Sequence, residues 1–147
     1  MPLLKTVLDT NCLLRCISRR SVYKNILDKL YEGAYELCIT ADILLEYEEK
    51  IAEIFSPETA ELIVGAFALL HNVKKTDVYF QLNLISVDPD DNKFVDCAFA
   101  ANAHFLVTND KHFNVLRTIS FPSLLWRNFN CYYKDRNLFN IALITTP

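Results

Sequence analysis

The fold class of this chain is first indicated by the stretch Leu3-Leu4-Lys5-Thr6-Val7-Leu8-Asp9-Thr10-Asn11. Its first seven residues are mostly apolar and include β-branched side chains, which predicts a first β-strand over residues 3–9. The strand ends in Asp9-Thr10-Asn11, a sequence that is typical of a polar turn. A strand that ends on an aspartate places a carboxylate at one edge of a sheet.

Segments with the pattern of strands and of helices alternate along the rest of the chain. We expect helices over residues 21–31, 41–55, 56–70 and 88–101, and further strands over residues 36–40, 82–87 and 104–108. A short strand near residues 118–121 and a short helix opened by Pro122, with Leu125 and Trp126, would follow. Such alternation predicts a parallel sheet with helices on both faces. Sites in these folds form beyond the carboxyl ends of the strands.

The composition limits the classes of function. With 147 residues, 52% of them hydrophobic, the chain fits a single domain with one core. Its two glycines argue against a glycine-rich phosphate loop. A net charge of −3 weighs against a simple DNA-binding module, which is usually basic. It weighs less against a nuclease, because clustered catalytic acids lower the net charge themselves.

Five cysteines, without paired CxxC spacing, fit neither a disulfide framework nor a structural zinc site. We therefore expect buried, reduced thiols. No signal peptide is visible and no apolar stretch is long enough to span a bilayer, so the expected location is the cytoplasm, without a membrane partner.

Acidic residues fall at four junctions between predicted strands and helices. Asp9 ends the first strand and Asp110 follows the fourth, while helices that leave the same edge carry Glu46, Asp91 and Asp96. Carboxylates packed together repel each other unless a cation lies between them. Oxygen ligands suit Mg²⁺ or Mn²⁺, which can polarise a phosphoryl group and activate a water molecule for attack.

Several of these acids also have ordinary structural interpretations. Asp88 and Asp91 could cap the helix that follows them, because acids favour that end of the helix dipole. Glu46 and Glu48 lie on opposite margins of the apolar arc of their helix, so helical geometry alone does not choose between them. The prediction of a metal site therefore depends on the whole set.

Four motifs in this order resemble the PIN domain family: Val7-Leu8-Asp9-Thr10-Asn11, Ile43-Leu44-Leu45-Glu46-Tyr47, the run from Asp88 to Asp96, and Leu106-Val107-Thr108-Asn109-Asp110. The resemblance runs from about Leu4 to Leu125 and is strongest to the VapC-like toxins of toxin–antitoxin systems. It implies one domain over residues 1–147, a three-layer α/β/α sandwich with a mostly parallel sheet and a C-terminal extension over residues 131–147.

The resemblance also implies an endoribonuclease that depends on Mg²⁺ or Mn²⁺ and hydrolyses RNA phosphodiester bonds by metal-activated water. Its partners would be an RNA substrate, a cognate antitoxin protein and further copies of the chain. The alternative is a PIN-like module that binds RNA or protein with little or no turnover. Carried over by position, the resemblance implies catalytic acids at Asp9, Glu46, Asp91 and Asp110.

The metal ligands would be the same four acids with Asp96, and the position of the fourth acid is open between Asp91 and Asp96. Asp91 fits the family pattern of an aspartate followed by an apolar pair. A gap-free alignment from Val107-Thr108 instead lands on Asn92, which shares a helix face with Asp96. The resemblance further implies polar groups that orient these acids or the attacking water: Thr10, Asn11, Asn92 and Thr108.

Basic residues near these acids could guide a phosphate backbone toward them. The predicted RNA-binding residues are Arg15, Arg19, Arg20, Lys24, Lys93 and Lys111. Ordinary solvated surface charges are the alternative interpretation.

Overall fold

A computed structural model describes residues 2–21, 23–108, 110–119 and 123–125, and gives the backbone alone for residues 117–119 and 123–125. The described strands are Lys5–Leu8 (β1), Glu36–Ile39 (β2), Val73–Lys75 (β3), Phe105–Thr108 (β4) and Ser123–Leu125 (β5). The α-helices are Thr10–Ile17 (α1), Lys24–Tyr31 (α2), Ala41–Ile54 (α3), Pro57–Leu69 (α4) and Asn92–Ala101 (α5). Two 3₁₀ segments cover Pro89–Asp91 and Lys111–Ile119.

The five strands form one sheet in the order β3-β2-β1-β4-β5, and each described pair is parallel. The chain moves from β1 outward to β3 and then returns across the sheet through α5 to β4. Because crossovers between parallel strands are right-handed, this reversal places α1 to α4 on one face and α5 on the other. The predicted three-layer α/β/α fold with a parallel sheet is confirmed.

The central strands are buried on both faces. Val7, Leu8, Leu106 and Val107 have no exposed surface, as expected for a parallel sheet covered by helices on each side. Four of the five cysteines, at positions 12, 16, 38 and 97, are buried free thiols, which confirms that part of the prediction. Within the described ranges, no helix has the length and apolar character needed to cross a membrane.

The helix starts follow local capping chemistry. The Thr40 side chain accepts a hydrogen bond of 3.2 Å from the Ile43 amide at the start of α3. Ser56 accepts one of 3.1 Å from Thr59 at the start of α4, where Pro57 takes the first helical position. A capping oxygen and a proline both suit positions whose amides have no partner within the helix.

The predicted third strand is wrong. Residues 82–87 form an irregular segment, and the strand at this point of the sheet is Val73–Lys75. The pattern of Leu82–Val87 suggested a strand, but only Ile85 within it is buried. Val73–Lys75 carries two lysines because β3 is the outer strand, and charged side chains are common on sheet edges.

Side chains of α5 replace strand pairing along the irregular segment. The Asn92 side chain accepts a hydrogen bond from the Ile85 amide at 2.9 Å and donates one to the Ile85 carbonyl at 2.7 Å. Asp96 accepts one from the Leu82 amide at 3.1 Å. The buried backbone is therefore satisfied without a sheet neighbour.

Three local predictions also need correction. Residues after Asp9 form α1 rather than a turn, because the Leu13 amide donates to the Asp9 carbonyl at 3.1 Å. The predicted strand at 118–121 begins inside the 3₁₀ segment, and residues 123–125 form β5 where a helix containing Leu125 was expected. Val22, Asn109, Trp126, Cys131 and the predicted extension over residues 131–147 lie outside the described residues.

Candidate metal centre

The carboxyl ends of β1 and β4 bring Asp9 and Asp110 to the same edge of the sheet. Since the Asp9 amide donates a hydrogen bond of 3.0 Å to the Val107 carbonyl, Asp9 is fixed beside the last residues of β4. The Asp9 residue is only 4% exposed. A carboxylate is thus buried at the point where α1 leaves the sheet.

The Thr108 hydroxyl links these two acids. It donates a hydrogen bond of 2.9 Å to Asp9 Oδ2 and accepts one of 3.0 Å from the Asp110 amide. Thr108 is itself buried, so its orientation is fixed by packing as well as by these bonds. The role predicted for Thr108, orienting an acid, remains a prediction that this geometry supports.

Asp91 reaches the same place from the end of the 3₁₀ turn before α5. Its Oδ2 lies 3.2 Å from His112 Nδ1, and the same ring nitrogen lies 3.5 Å from Asp110 Oδ1. The His112 amide also donates to Asp110 Oδ1 at 2.9 Å. A continuous chain of contacts therefore runs from Asp9 through Thr108 and Asp110 to Asp91. We call Asp9, Asp91 and Asp110 the acid cluster.

Burial and like charge act together on the acid cluster. Burial raises the pKa of Asp9 from 3.8 to about 6, the hydrogen bond from Thr108 opposes that rise, and the charges of Asp91 and Asp110 add to it. The pKa of Asp91 is also raised, mainly by burial, with His112 opposing the rise. Among the described residues, no basic side chain forms an ion pair with Asp9.

Glu46 lies on α3, and a hydrogen bond joins this helix to the end of β1, next to the acid cluster. The buried Tyr47 hydroxyl donates a hydrogen bond of 2.5 Å to the Leu8 carbonyl, one residue before Asp9. The neighbouring Glu46 accepts a hydrogen bond at Oε1 from the Thr10 hydroxyl at 2.6 Å. Glu48 is exposed. Of the two glutamates that helical geometry left open, Glu46 is the one that contacts Thr10 and Lys93, and its role as a metal ligand remains a prediction.

Lys93 contacts Glu46 from the start of α5. Its ammonium forms ion pairs with Glu46 Oε2 and, at 2.8 Å, with Asp90 Oδ2, and it lies 5.6 Å from the centre of the Phe94 ring. Burial alone would lower the pKa of Lys93, but the hydrogen bonds to Asp90 and Glu46 outweigh it and raise the pKa. Lys93 is therefore a fixed positive charge.

A groove of about 630 Å³ adjoins Lys93 at the ends of β2 and β3, and Asp96 and Asn92 line it. The contact described for Asp96 is with the Leu82 amide, and the side chain of Asn92 is taken up by Ile85 and Pro89. The structure thus joins Asp91, and not Asp96, to the other acids through described contacts. Asn92 and Asp96 both hold the irregular segment in place.

The predicted RNA-binding residues occupy different surroundings. Arg15, Arg19, Arg20 and Lys24 are exposed, and Lys24 pairs with Asp28 at 3.1 Å. Arg15 lies roughly 8 Å along α1 from Thr10, given the rise of an α-helix, and the others follow that helix. The exposed Lys111 follows Asp110 directly, and Asn11 is exposed one residue after Thr10. Their roles remain predictions.

Two further potential ligands were not among the predicted site residues. Ligand atoms of Asp88, Asp91 and His112 all lie within 4.8 Å of one another. His112 follows Asp110 by two residues, a spacing that could have indicated it. Asp88 caps the 3₁₀ turn, since its Oδ1 accepts a hydrogen bond of 3.2 Å from the Asp90 amide, which confirms the capping interpretation for Asp88. Asp91, at the start of α5, makes no capping hydrogen bond with its side chain.

The acid cluster offers the kind of ligand that a divalent cation of the Mg²⁺ or Mn²⁺ type prefers, although the described residues whose ligand atoms lie mutually within 4.8 Å are Asp88, Asp91 and His112. Its donors are carboxylate oxygens, which these ions prefer, with one imidazole at the rim. The raised pKa of Asp9 indicates a carboxylate that is buried without a compensating cation from the described residues. A bound cation would relieve both the burial and the repulsion.

Comparisons with known proteins agree with this architecture. Residues 5–112 match a family model described as PIN domain. One similar solved structure is the crystal structure of VapBC2 from Rickettsia felis bound to a DNA fragment from its promoter. A chain of that structure aligns with a TM-score of 0.56 at 19% sequence identity, and the alignment covers 84% of the present chain and 99% of the VapBC2 chain. A chain of DNA-bound VapBC from Salmonella typhimurium aligns with a TM-score of 0.55 at the same identity and coverage. No curated protein matches the chain. At this identity the two structures show a shared fold.

Proposed function

The chain belongs to the PIN domain family, and on that premise we propose that it is an endoribonuclease that depends on Mg²⁺ or Mn²⁺. The observation that carries the proposal is the convergence of Asp9, Asp91 and Asp110 at the carboxyl edge of the sheet, with Asp9 buried. A buried carboxylate with like charges beside it destabilises a fold unless it serves a ligand of opposite charge.

The acid cluster, Thr108 and Lys111 have separate roles in this proposal. The acid cluster holds the cation, and Thr108 fixes the carboxylate of Asp9 through its hydrogen bond. A divalent ion bound there would stabilise charge on the phosphoryl oxygens and acidify a water molecule for attack. The exposed ammonium of Lys111, next to Asp110, is placed to attract the RNA backbone.

Replacement of Asp9 tests this function. We expect Asp9→Asn to reduce Mn²⁺-dependent cleavage of single-stranded RNA by roughly 1,000-fold, because metal ions contribute several kcal/mol to such reactions and each tenfold is about 1.4 kcal/mol. Asp28→Asn is the matched control, since the Asp28 side chain is 45% exposed and its described ion pair is with Lys24.

Undiminished cleavage by Asp9→Asn would contradict the proposal. Binding of RNA by the wild-type chain without any cleavage in Mg²⁺ or Mn²⁺ would instead favour the alternative, a PIN-like binding module.

We further propose that the chain is the toxin of a toxin–antitoxin pair with a cognate antitoxin, and that it forms homo-oligomers. The support is the fold shared with chains of two VapBC structures, together with the VapC-like sequence motifs. Co-expression with the product of a small neighbouring reading frame should give one complex in gel filtration. Two separate peaks at micromolar concentration would argue against that partner.

A further inference from the structure

Glu46 differs from the acid cluster in that both of its carboxylate oxygens already have partners within the chain. Thr10 donates to Oε1, and the ammonium of Lys93 contacts Oε2. The Glu46 and Lys93 side chains are 20% and 19% exposed. Because the pair is close to neutral and mostly shielded from water, Glu46 contributes little net negative charge to its surroundings.

The ammonium of Lys93 is held from several directions. Asp90, three residues earlier, accepts from it at 2.8 Å, and the Phe94 ring lies under it at 5.6 Å. Phe94 is itself fully packed in the core. A lysine side chain is usually flexible, so these contacts indicate a cation with a defined position rather than a solvated surface charge.

The pair is close to the acid cluster along the chain. Thr10, which binds Glu46, follows Asp9 in the chain, and Lys93 follows Asp91 by two residues. The segment at the start of α5 therefore contributes the carboxylate of Asp91 to the acid cluster and the ammonium of Lys93 to the ion pair with Glu46. A divalent ion placed on Glu46 would meet the positive charge of Lys93 at close range and would be repelled.

We propose that Lys93 is a built-in cation that takes the place of a second divalent ion at Glu46. The acid cluster then binds a single divalent ion, and Glu46 acts as a positioning residue that holds Lys93. This inference rests on the proposed function, because it assumes that the acid cluster binds metal.

Isothermal titration of the full chain with Mn²⁺ alone tests the proposal. We expect one ion for the wild type and one for Glu46→Gln, whose Mn²⁺ affinity should stay within about threefold of the wild type. Lys93→Met, which keeps the length of the side chain without its charge, should bind two ions, since Glu46 is then free to bind the second. The double variant of Glu46→Gln and Lys93→Met should return to one.

Lys29→Met is the matched control, because Lys29 also pairs with a glutamate, Glu32 at 2.7 Å, on the surface of α2. It should bind one ion with wild-type affinity. Circular dichroism establishes that each variant is folded. Glu46→Gln retains an amide oxygen that can accept a hydrogen bond from Thr10. The Mn²⁺ affinity of Glu46→Gln therefore tests the proposal even if Lys93→Met does not fold.

Two ions in the wild type, a tenfold or greater loss of affinity in Glu46→Gln, or a single ion in folded Lys93→Met would overturn the proposal for Lys93. These results would leave the proposed RNA cleavage standing. No binding of Mn²⁺ by the wild type at millimolar concentration would overturn the proposal for Lys93 together with the metal site itself.

Discussion

At the scale of single residues, Asp9 combines a cost in stability with a role in the site. Burial raises its pKa to about 6, so near neutral pH the folded protein holds a negative charge in a place that disfavours it. Thr108 offsets part of this cost through its hydrogen bond. A carboxylate kept under such conditions is more readily explained by a bound cation than by a contribution to stability.

The raised pKa of Asp9 predicts how the metal-free protein responds to pH. The folded state binds a proton at Asp9 more tightly than the unfolded state does. The contribution of this proton to the free energy of unfolding is therefore fully present below about pH 3.8. It is lost as the pH rises through about 6, and this difference in the pKa of Asp9 between the unfolded and folded states corresponds to about 3 kcal/mol. The metal-free protein therefore loses this contribution toward neutral pH.

Urea unfolding in EDTA measures this effect, with the wild type compared to Asp9→Asn so that other titrating groups cancel. The free energy of unfolding of Asp9→Asn, relative to the wild type, should rise by about 3 kcal/mol between about pH 4 and about pH 7.5. A difference that stays constant over this range would show that the pKa of Asp9 is not raised.

At the scale of elements, the carboxyl ends of parallel strands explain which parts of the site the sequence could predict. Asp9 and Asp110 follow strands with clear apolar patterns, and parallel strands bring such ends together. Helical geometry could not choose between Glu46 and Glu48, because both lie at the margins of the apolar arc. Glu46 is distinguished by its contacts with Thr10 and Lys93, which come from other elements and which no local pattern encodes.

The prediction of a third strand over residues 82–87 was wrong for a related reason. The pattern of Leu82–Val87 suggested a strand, yet its backbone is satisfied by two side chains of α5, Asn92 and Asp96. Val73–Lys75, the true strand, is short and carries two lysines because it lies at the edge of the sheet. Patterns along one segment do not record which neighbours supply its hydrogen bonds.

The anchoring role of Asn92 gives a prediction for its element. Asn92→Ala removes three hydrogen bonds and leaves the buried Ile85 amide and carbonyl without these partners. We expect a loss of about 3 kcal/mol in the free energy of unfolding. Denaturation in urea measures it, and Asn114→Ala at an exposed position should cost less than about 0.5 kcal/mol. Equal effects of the two substitutions would contradict the anchoring role.

At the scale of the whole molecule, the strand order separates two regions along one sheet edge. The acid cluster lies at the ends of β1 and β4, while the groove of about 630 Å³ lies at the ends of β2 and β3. The pair of Glu46 and Lys93 stands between them. Under the proposed function, this groove would be open to the nucleotides next to the scissile phosphate.

The most direct test of the account is the position of a metal ion in a crystal soaked in Mn²⁺, located by anomalous scattering. We expect a peak within about 2.3 Å of carboxylate oxygens from Asp9, Asp91 and Asp110. An ordered and accessible acid cluster without such a peak, at millimolar Mn²⁺, would contradict it.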